Sequence, residues 1–257
     1  MEAVDFISAE RLATYEKFVD DRKKAVALHN HTLQLGSSLM AMIALMELAL
    51  RNSSNQRLIA DFGRDQWLLP AQPTLPLLER EKKTISLAHK YAQRAAYAKL
   101  SYKQKAYLDA FAFPSGLPTG ISHKHKTDKR QALFVVSHGQ VISQTTFSFW
   151  KRLYSSEYQE ELWKPSLKKV FPNKKLKRSD VSKALETIYS VRNRVAHHEP
   201  VYGKRLVEVM SALNFIRKAL GNKDLEEDSS FKRFSKIHHL RLHMDYQSFL
   251  EAWRTLT

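Results

Sequence analysis

The chain has 257 residues, of which 43% are hydrophobic, and contains no cysteine. This length can bury a full core without cross-links, and the lack of cysteine excludes disulfides, thiolate metal sites and a cysteine nucleophile. The net charge of +16 favours polyanionic partners, above all RNA or DNA phosphates, although a cationic surface serving solubility or binding anionic lipid would carry the same sign.

Two helices are predicted in the first quarter of the chain. The first begins at Ser8 and carries periodic apolar residues as far as Leu33. Gly36-Ser37-Ser38 predicts a break or a weak turn, and a strongly apolar helix then runs from Leu39 to about Phe62.

Neither a membrane span nor a leader is expected. The longest apolar run, Leu39 to Leu50, is too short to cross a bilayer and contains Glu47. Glu2 and Asp5 stand where a secretory leader would carry basic residues. We therefore expect a cytoplasmic protein.

The middle of the chain alternates helices and turns. A helix is predicted over about 77–100, after a loop rich in proline. Residues 113–120 cannot form regular structure, so a loop-rich insertion is expected at about 101–130. Helices are expected again at 128–141 and 144–154, although residues 133–136 also fit a strand: Leu133, Phe134, Val135 and Val136.

The C-terminal part is predicted to contain a helix at about 204–220 and another at 231–256. An acidic segment at 224–230 separates them and reads as a linker. The predicted organisation is one domain over 1–222, followed by a C-terminal helix or arm over 223–257 that packs on it.

The most informative segment is the helix that ends near His198. Its apolar residues recur at helical spacing, Asp180 is placed to cap its start, and Pro200 prevents its continuation. Arg192 follows Ile188 by four residues and so lies on or beside the apolar stripe, where a guanidinium needs a partner or a ligand. The stripe consists of Val181, Leu185, Ile188, Val191 and Val195.

This segment contains the groups that RNA cleavage without a metal requires. The ribose 2′-OH attacks the neighbouring phosphate once a base removes its proton, and an acid protonates the leaving 5′-oxygen. An imidazole suits either role because its ordinary pKa is about 6.5, and a guanidinium binds two phosphate oxygens. His197 is the first candidate acid or base and His198 the second, with Arg192 on the phosphate and Asn193 orienting it.

The spacing alone is weak evidence. Arg233 with His238 and His239 repeats it elsewhere by chance. The simpler interpretation is a helix end that gathers basic residues near its negative dipole end.

Glu47 is predicted to be largely buried because it shares a helix face with Ile43 and Leu50. A buried carboxylate needs a partner. Arg51, helped by the amide of Asn52, would make the pairing structural, whereas Arg192 would make Glu47 part of the site.

Other patterns carry less weight. The basic segment His123–Arg130 fits either a solvated face or a nucleic-acid contact. His239 and His243 have a zinc-binding spacing but no evident third ligand, and neither a phosphate-binding loop nor paired acids occur, so no metal or cofactor is expected. The candidate nucleic-acid contacts are Arg51, Arg194, Lys124, Lys126 and Arg130.

Several sequence blocks occur in one order over residues 8–220: Arg11-Leu-Ala-Thr-Tyr15, Glu47-Leu-Ala-Leu-Arg51-Asn52, Thr146-Phe-Ser-Phe-Trp150, Leu162-Trp163, Phe171-Pro172 and Val191-Arg-Asn-Arg-Val-Ala-His-His-Glu-Pro200. Together they resemble the Abi-like (abortive infection) proteins of the HEPN superfamily. The resemblance implies an all-α, HEPN-like helical bundle with extra helices and the middle insertion.

By the same resemblance, the chain would be a metal-independent endoribonuclease that leaves 2′,3′-cyclic phosphate ends and acts in phage defence or as a toxin. The resemblance also implies a homodimer in which two motif helices face each other across a two-fold axis. The sequence leaves open whether an antitoxin or an inhibitory RNA restrains the activity. The alternatives are a non-catalytic HEPN module that binds RNA or a protein, and a DNA-binding protein.

Overall fold

The computed structural model describes residues 6–70, 75–221 and 230–257. Within these ranges the chain forms eleven α-helices and no strand, which confirms the all-α prediction. Two short 3₁₀ turns flank one π-helical segment between the eighth and ninth helices. The α-helices are α1 (Ala9–Leu12), α2 (Arg22–Phe62), α3 (Glu79–Ala98), α4 (Tyr102–Tyr107), α5 (Asp109–Ala112), α6 (His123–Ala132), α7 (His138–Ile142), α8 (Phe147–Arg152), α9 (Arg178–Ala196), α10 (Gly203–Leu220) and α11 (Ser230–Leu256).

The chain divides into two compact units. The first unit comprises Met1–Ser54 with Tyr154–Thr257, and the second comprises Asn55–Leu153. The described C-terminal helix α11 thus belongs to the same unit as the N-terminal helices, whereas the predicted insertion at about 101–130 falls in the second unit. Glu2, Asp5, Pro73 and residues 224–229 of the predicted linker lie outside the described residues.

Helix α2 is continuous, so the predicted break at 36–38 is wrong. Tertiary contacts outweigh the weak helix propensity of glycine and serine, a cost of about 1 kcal/mol per glycine. Gly36 lies against α9, where a Cβ atom would come within 3.5 Å of Val195 Cγ1. The Ser38 hydroxyl donates a hydrogen bond to the Asp245 carboxylate on α11.

By length and composition, α2 is the one described helix that could cross a membrane, and 44% of its most apolar stretch is buried inside the protein. A helix that is apolar on all sides is also typical of a protein core. Its buried residues pack inside the first unit and include Leu28, Leu35, Leu39, Met42, Ile43 and Leu50. The feature is therefore weak evidence for a membrane, and the cytoplasmic location stays a prediction.

The first unit ends with helices α10 and α11. They confirm the helices predicted at 204–220 and 231–256. Helix α10 packs along α9. Helix α11 is held to α2 by Asp245, which also accepts a hydrogen bond from Gln34 at 3.2 Å. Near the C-terminus, Trp253 stacks on Tyr202 with ring centroids 5.2 Å apart.

The start of α9 is fixed by a buried tyrosine. Tyr154 is fully buried, its hydroxyl lies 2.7 Å from the Ser54 hydroxyl, and burial raises the pKa of its phenol well above the ordinary value. Arg178 donates to the Tyr154 carbonyl at 2.9 Å and to Gln159 Oε1 at 2.7 Å. The helix therefore begins at Arg178, and the predicted cap Asp180 lies in its first turn instead.

The second unit contains helix α3, which confirms the helix predicted at 77–100. The helix predicted at 128–141 is wrong in its middle, because α6 ends at Ala132 and α7 begins at His138. Residues 133–136 are not a strand either. The buried Glu81 accepts hydrogen bonds from Arg152 Nε at 2.6 Å and Arg80 Nε at 3.0 Å.

Asp109 joins α5 to α6 and provides a test of this unit. Its carboxylate accepts two hydrogen bonds from Arg130, at 2.7 and 2.8 Å, and pairs with Lys126 at 2.9 Å. Hydrogen bonding by Arg130 is the main cause that lowers the pKa of Asp109 from 3.8 to about 2. The ionised form thus stabilises the fold above about pH 4, and this contribution is lost as the pH falls toward 2.

We expect Asp109→Asn to lower the free energy of unfolding at pH 7, with the difference from the parent shrinking as the pH falls from 4 toward 2. Urea unfolding at several pH values measures it. Asp128→Asn, which changes an exposed carboxylate on α6, should have little effect at pH 7. An Asp109→Asn difference that is constant over this pH range would contradict the assignment.

Candidate functional site

The predicted motif lies on the last turns of α9. The buried stripe of this helix faces the core of the first unit: Val181, Ala184, Leu185, Ile188 and Val191. Arg192 and Asn193 follow immediately and are half-buried, whereas His197 and His198 are exposed. The stripe therefore fixes the helix, and the polar groups sit at its end, where the chain turns.

The helix ends in a Schellman motif. His197 is the C-cap residue, and His198 follows with φ +54° in the left-handed region. The Glu199 N–H donates to the Arg194 carbonyl at 2.8 Å, and the His198 N–H donates to the Val195 carbonyl at 2.9 Å. These two bonds define the motif, whose left-handed position is usually glycine.

Arg11 supports this turn from α1. Its Nη1 donates to the His198 carbonyl at 3.1 Å. Sequence reasoning had placed Arg11 in a block of the resemblance but not in the site. The contact joins residues 187 positions apart in sequence, so no local pattern could have indicated it.

His198→Gly tests the turn. Glycine adopts positive φ without the cost of about 1 kcal/mol that a side chain adds. We expect the melting temperature to stay the same or rise by about 2–4 °C, measured by circular dichroism. His197→Gly is the matched control, because His197 has φ −95° and gains no such relief. A clear loss of stability in His198→Gly alone would contradict the assignment.

The arginines at the helix end differ in their contacts. Arg192 Nη1 makes a long hydrogen bond of 3.4 Å to Asn193 Oδ1, and its Nε is buried with no partner in the described part of the chain. Arg194 Nε is likewise buried without a partner among the described residues, but Arg194 Nη1 forms an ion pair with Glu199 at 2.9 Å. Of the two arginines, only Arg194 has an ion-pair partner within the described residues, so Arg192 is the better placed to receive an anion.

A groove of about 780 Å³ runs beside this turn, between α2 and the end of α9. Most of its wall is apolar, and one end is polar, with Arg11, His29, His198 and Glu199. On α2 the lining residues recur every three or four positions and so form one helix face. The apolar lining consists of Leu33, Gly36, Met40, Ala41, Ala44, Val195 and Ala196.

His29 is a residue of this groove that sequence reasoning did not select. It is 6% exposed, its ring meets Tyr15 edge-on at 5.8 Å, and neither ring nitrogen has a hydrogen-bond partner within the described residues. Burial is the main cause that lowers the pKa of His29, and the nearby Arg11 guanidinium lowers it further, while the Asn30 amide acts in the opposite direction. His29 is therefore disposed to be neutral near pH 7.

Searches of family models, curated proteins and solved structures found no match to this chain. The resemblance to Abi-like proteins therefore stays a prediction.

Glu47 is partly buried, and the largely buried carboxylate stays a prediction. It lies about three helical turns, ~16 Å, further along α2 than Gly36, which contacts Val195. Arg51 lies one turn beyond Glu47, and its Nε donates to Asn52 Oδ1 at 3.2 Å. The geometry thus joins Arg192 to Asn193 and Arg51 to Asn52, and His197 follows Arg192 at the end of the same helix.

The other predicted nucleic-acid contacts lie on α6, in the second unit. Arg130 and Lys126 are engaged by Asp109, and the Arg130 side chain is only 12% exposed. Their first role is thus to hold α5 against α6. Lys124 is exposed and lines a separate pocket of about 500 Å³ with Arg94 and Lys105.

The chance repeat of the motif lies on α11, where Arg233 and His238 are exposed. It lies within that helix rather than at a capped helix end. No group of three or more metal-binding side chains occurs in the part of the chain that the structure describes. His239 and His243 lie beside Arg217 instead.

Proposed function

We propose that the end of α9 is the active site of a metal-independent endoribonuclease of HEPN type that acts in phage defence or as a toxin. The observation that carries the proposal is the half-buried Arg192, which has no ion-pair partner and an unpartnered Nε within the described residues, on the helix end that also carries the exposed imidazole of His197. A guanidinium with a donor left for an anion and an imidazole open to solvent are two of the groups that transesterification of RNA needs.

The proposed reaction balances without a cofactor. One imidazole removes the 2′-OH proton, and the 2′-oxygen attacks phosphorus. Arg192 stabilises the added negative charge while Asn193 orients the phosphate. The bond to the 5′-oxygen breaks, and a second imidazole protonates that oxygen, which leaves a 2′,3′-cyclic phosphate and a 5′-hydroxyl.

The proposal includes a homodimer, because separate acid and base are supplied most simply by two copies of the motif. Most homodimers are symmetric about a two-fold axis. The apolar groove beside the motif supports this arrangement, since exposed apolar surface of this kind is typical of an interface. A toxin of this class also needs a restraint, for which an antitoxin or inhibitory RNA is the proposed partner.

A second candidate is a non-catalytic module that binds RNA. It is favoured by the two imidazoles, because no side-chain hydrogen bond within the described residues orients either ring. General bases are usually oriented by a further group. In this function Arg192 and Arg194 would hold phosphates, and no bond would break.

The deciding experiment incubates the purified protein with mixed-sequence RNA and with DNA of the same sequence, both in excess EDTA. Cleavage of RNA alone, with 2′,3′-cyclic phosphate ends identified by mass spectrometry, is the expected result. Retained RNA binding without cleavage would favour the binding module. Activity that EDTA abolishes would point to a metal and contradict the proposed mechanism.

A further inference from the structure

A second cavity in the first unit collects three basic side chains. It has a volume of about 340 Å³ and lies where α10 meets α11, with a contribution from α2. Its apolar part includes Met42, Leu213 and Leu242, and its basic part consists of Arg217, His239 and His243. The two histidines have the spacing of zinc ligands in the sequence, but the third group that the fold brings to them is the guanidinium of Arg217. A guanidinium repels a cation.

The basic groups of this cavity have no counterion among the described residues that line it. No carboxylate belongs to its described lining. Arg217 Nε is buried without a partner in the described part of the chain, and its Nη2 makes a long hydrogen bond of 3.4 Å to Asn214 Oδ1. Buried donors are rarely left unsatisfied in folded proteins, so this one is available to a ligand.

The pKa of His239 agrees with the proximity of these groups. Burial is the main cause that lowers the pKa of His239, and the charges of Arg217 and His243 lower it further. Burial also lowers the pKa of Arg217. From α2 the cavity receives only the uncharged Met42, so the facing charged groups are those of α10 and α11. An anion would relieve this repulsion.

We propose that the cavity binds a phosphate group through Arg217, His239 and His243. The guanidinium fork donates to two oxygens and the imidazoles donate to the others. The Ser211 hydroxyl and the Asn214 amide, which also line the cavity, are further donors. The size suits a phosphate with a small attached group, and the site is independent of the proposed nuclease activity.

The test uses the full-length protein and inorganic phosphate, with chloride at equal ionic strength as reference. In the parent, phosphate should shift the NMR signals of His239 and His243 in a saturable manner and raise the pKa of His239. The signal of His238, an exposed neighbour on α11 that does not line the cavity, should not respond.

Variants then identify the donors. Arg217→Gln and His239→Gln should each raise the dissociation constant for phosphate by at least about tenfold, because each removes a charged hydrogen bond. His238→Gln is the matched control and should bind as the parent does. Parallel titrations with 5′-phosphorylated and 5′-hydroxyl RNA of one sequence show whether the cavity binds the terminal phosphate of RNA or only free phosphate.

Two results would overturn the proposal. One is the absence of any His239 or His243 shift in the parent at saturating phosphate, which needs no variant and is unaffected by folding defects. The other is phosphate binding that is the same in the parent, Arg217→Gln and His239→Gln. Both are read from phosphate alone, so the failure of the proposed nuclease would not imitate them.

Discussion

Arg192→Ala and His197→Ala are each expected to lower the rate of RNA cleavage by at least about a hundredfold. Removing a general acid or base usually costs a factor of about 10²–10⁴, and removing a group that stabilises the charged transition state costs about 10²–10³. Neither side chain belongs to the buried stripe of α9, so the free energy of unfolding should fall by no more than about 1 kcal/mol. Single-turnover cleavage of a fluorescent RNA and urea unfolding measure the two quantities.

Three controls keep this result specific. Arg194→Ala changes an arginine on the same turn whose guanidinium is already paired with Glu199, and it should retain most of the cleavage rate. Arg192→Lys keeps the charge but loses the planar fork, so its rate should fall between those of the parent and Arg192→Ala. Arg233→Ala changes the chance repeat on α11 and should have little effect.

The different backbone conformations of the two histidines allow their roles in cleavage to be tested separately. His198→Gly removes one imidazole at a position that favours glycine, so the turn that carries His197 should be preserved. Retained cleavage in His198→Gly with lost cleavage in His197→Ala would assign the chemistry to His197. The opposite pattern would assign it to His198, and full activity in both variants would remove the motif from the mechanism.

The helices could be predicted where their apolar periodicity was strong and their ends carried clear signals. Helix α10 was predicted to within a residue, and Pro200 correctly placed the end of α9. The break at 36–38 was wrong because local propensity favoured it, whereas the contact of Gly36 with Val195 and the bond of Ser38 to Asp245 depend on distant segments. Such contacts routinely override propensity.

The candidate site could be predicted only in its local part. Arg192, Asn193 and His197 are neighbours in sequence and share a helix end, so the pattern was enough to select them. Arg11 and His29 join the same region through tertiary packing, and neither has a sequence signal of its own. The left-handed backbone conformation of His198 could not be predicted either, because glycine or asparagine is the usual signal for that conformation.

The basic residues show a different limit of prediction from sequence. Arg130 was selected as a nucleic-acid contact by its charge, yet it makes a bidentate pair with Asp109 that sequence could not indicate. Arg217 was not selected, although its Nε is buried without a partner in the described part of the chain. Composition thus predicts the sign of the charge that a ligand carries, but not which basic side chains already have a partner within the protein.

The second large effect is expected from Ala44→Arg. Ala44 is exposed on α2 and lines the apolar groove beside the motif. In a symmetric dimer formed through this groove each substitution enters the interface twice, and an unpaired buried charge there costs several kcal/mol. The dimer dissociation constant should rise at least about a hundredfold, and cleavage should fall with it if acid and base come from different copies.

Size-exclusion chromatography with light scattering measures the oligomeric state at several protein concentrations, alongside the cleavage rate. Ala95→Arg is the matched control, since Ala95 is an exposed alanine inside α3 in the second unit, and both substitutions exchange good helix formers. A monomeric Ala44→Arg variant that cleaves RNA at the parent rate would show that one copy suffices, and one chain would then have to supply both imidazoles. Because His197 and His198 are adjacent on a single turn, that outcome would make the pair itself the acid and base, and His198→Gly would then have to be inactive.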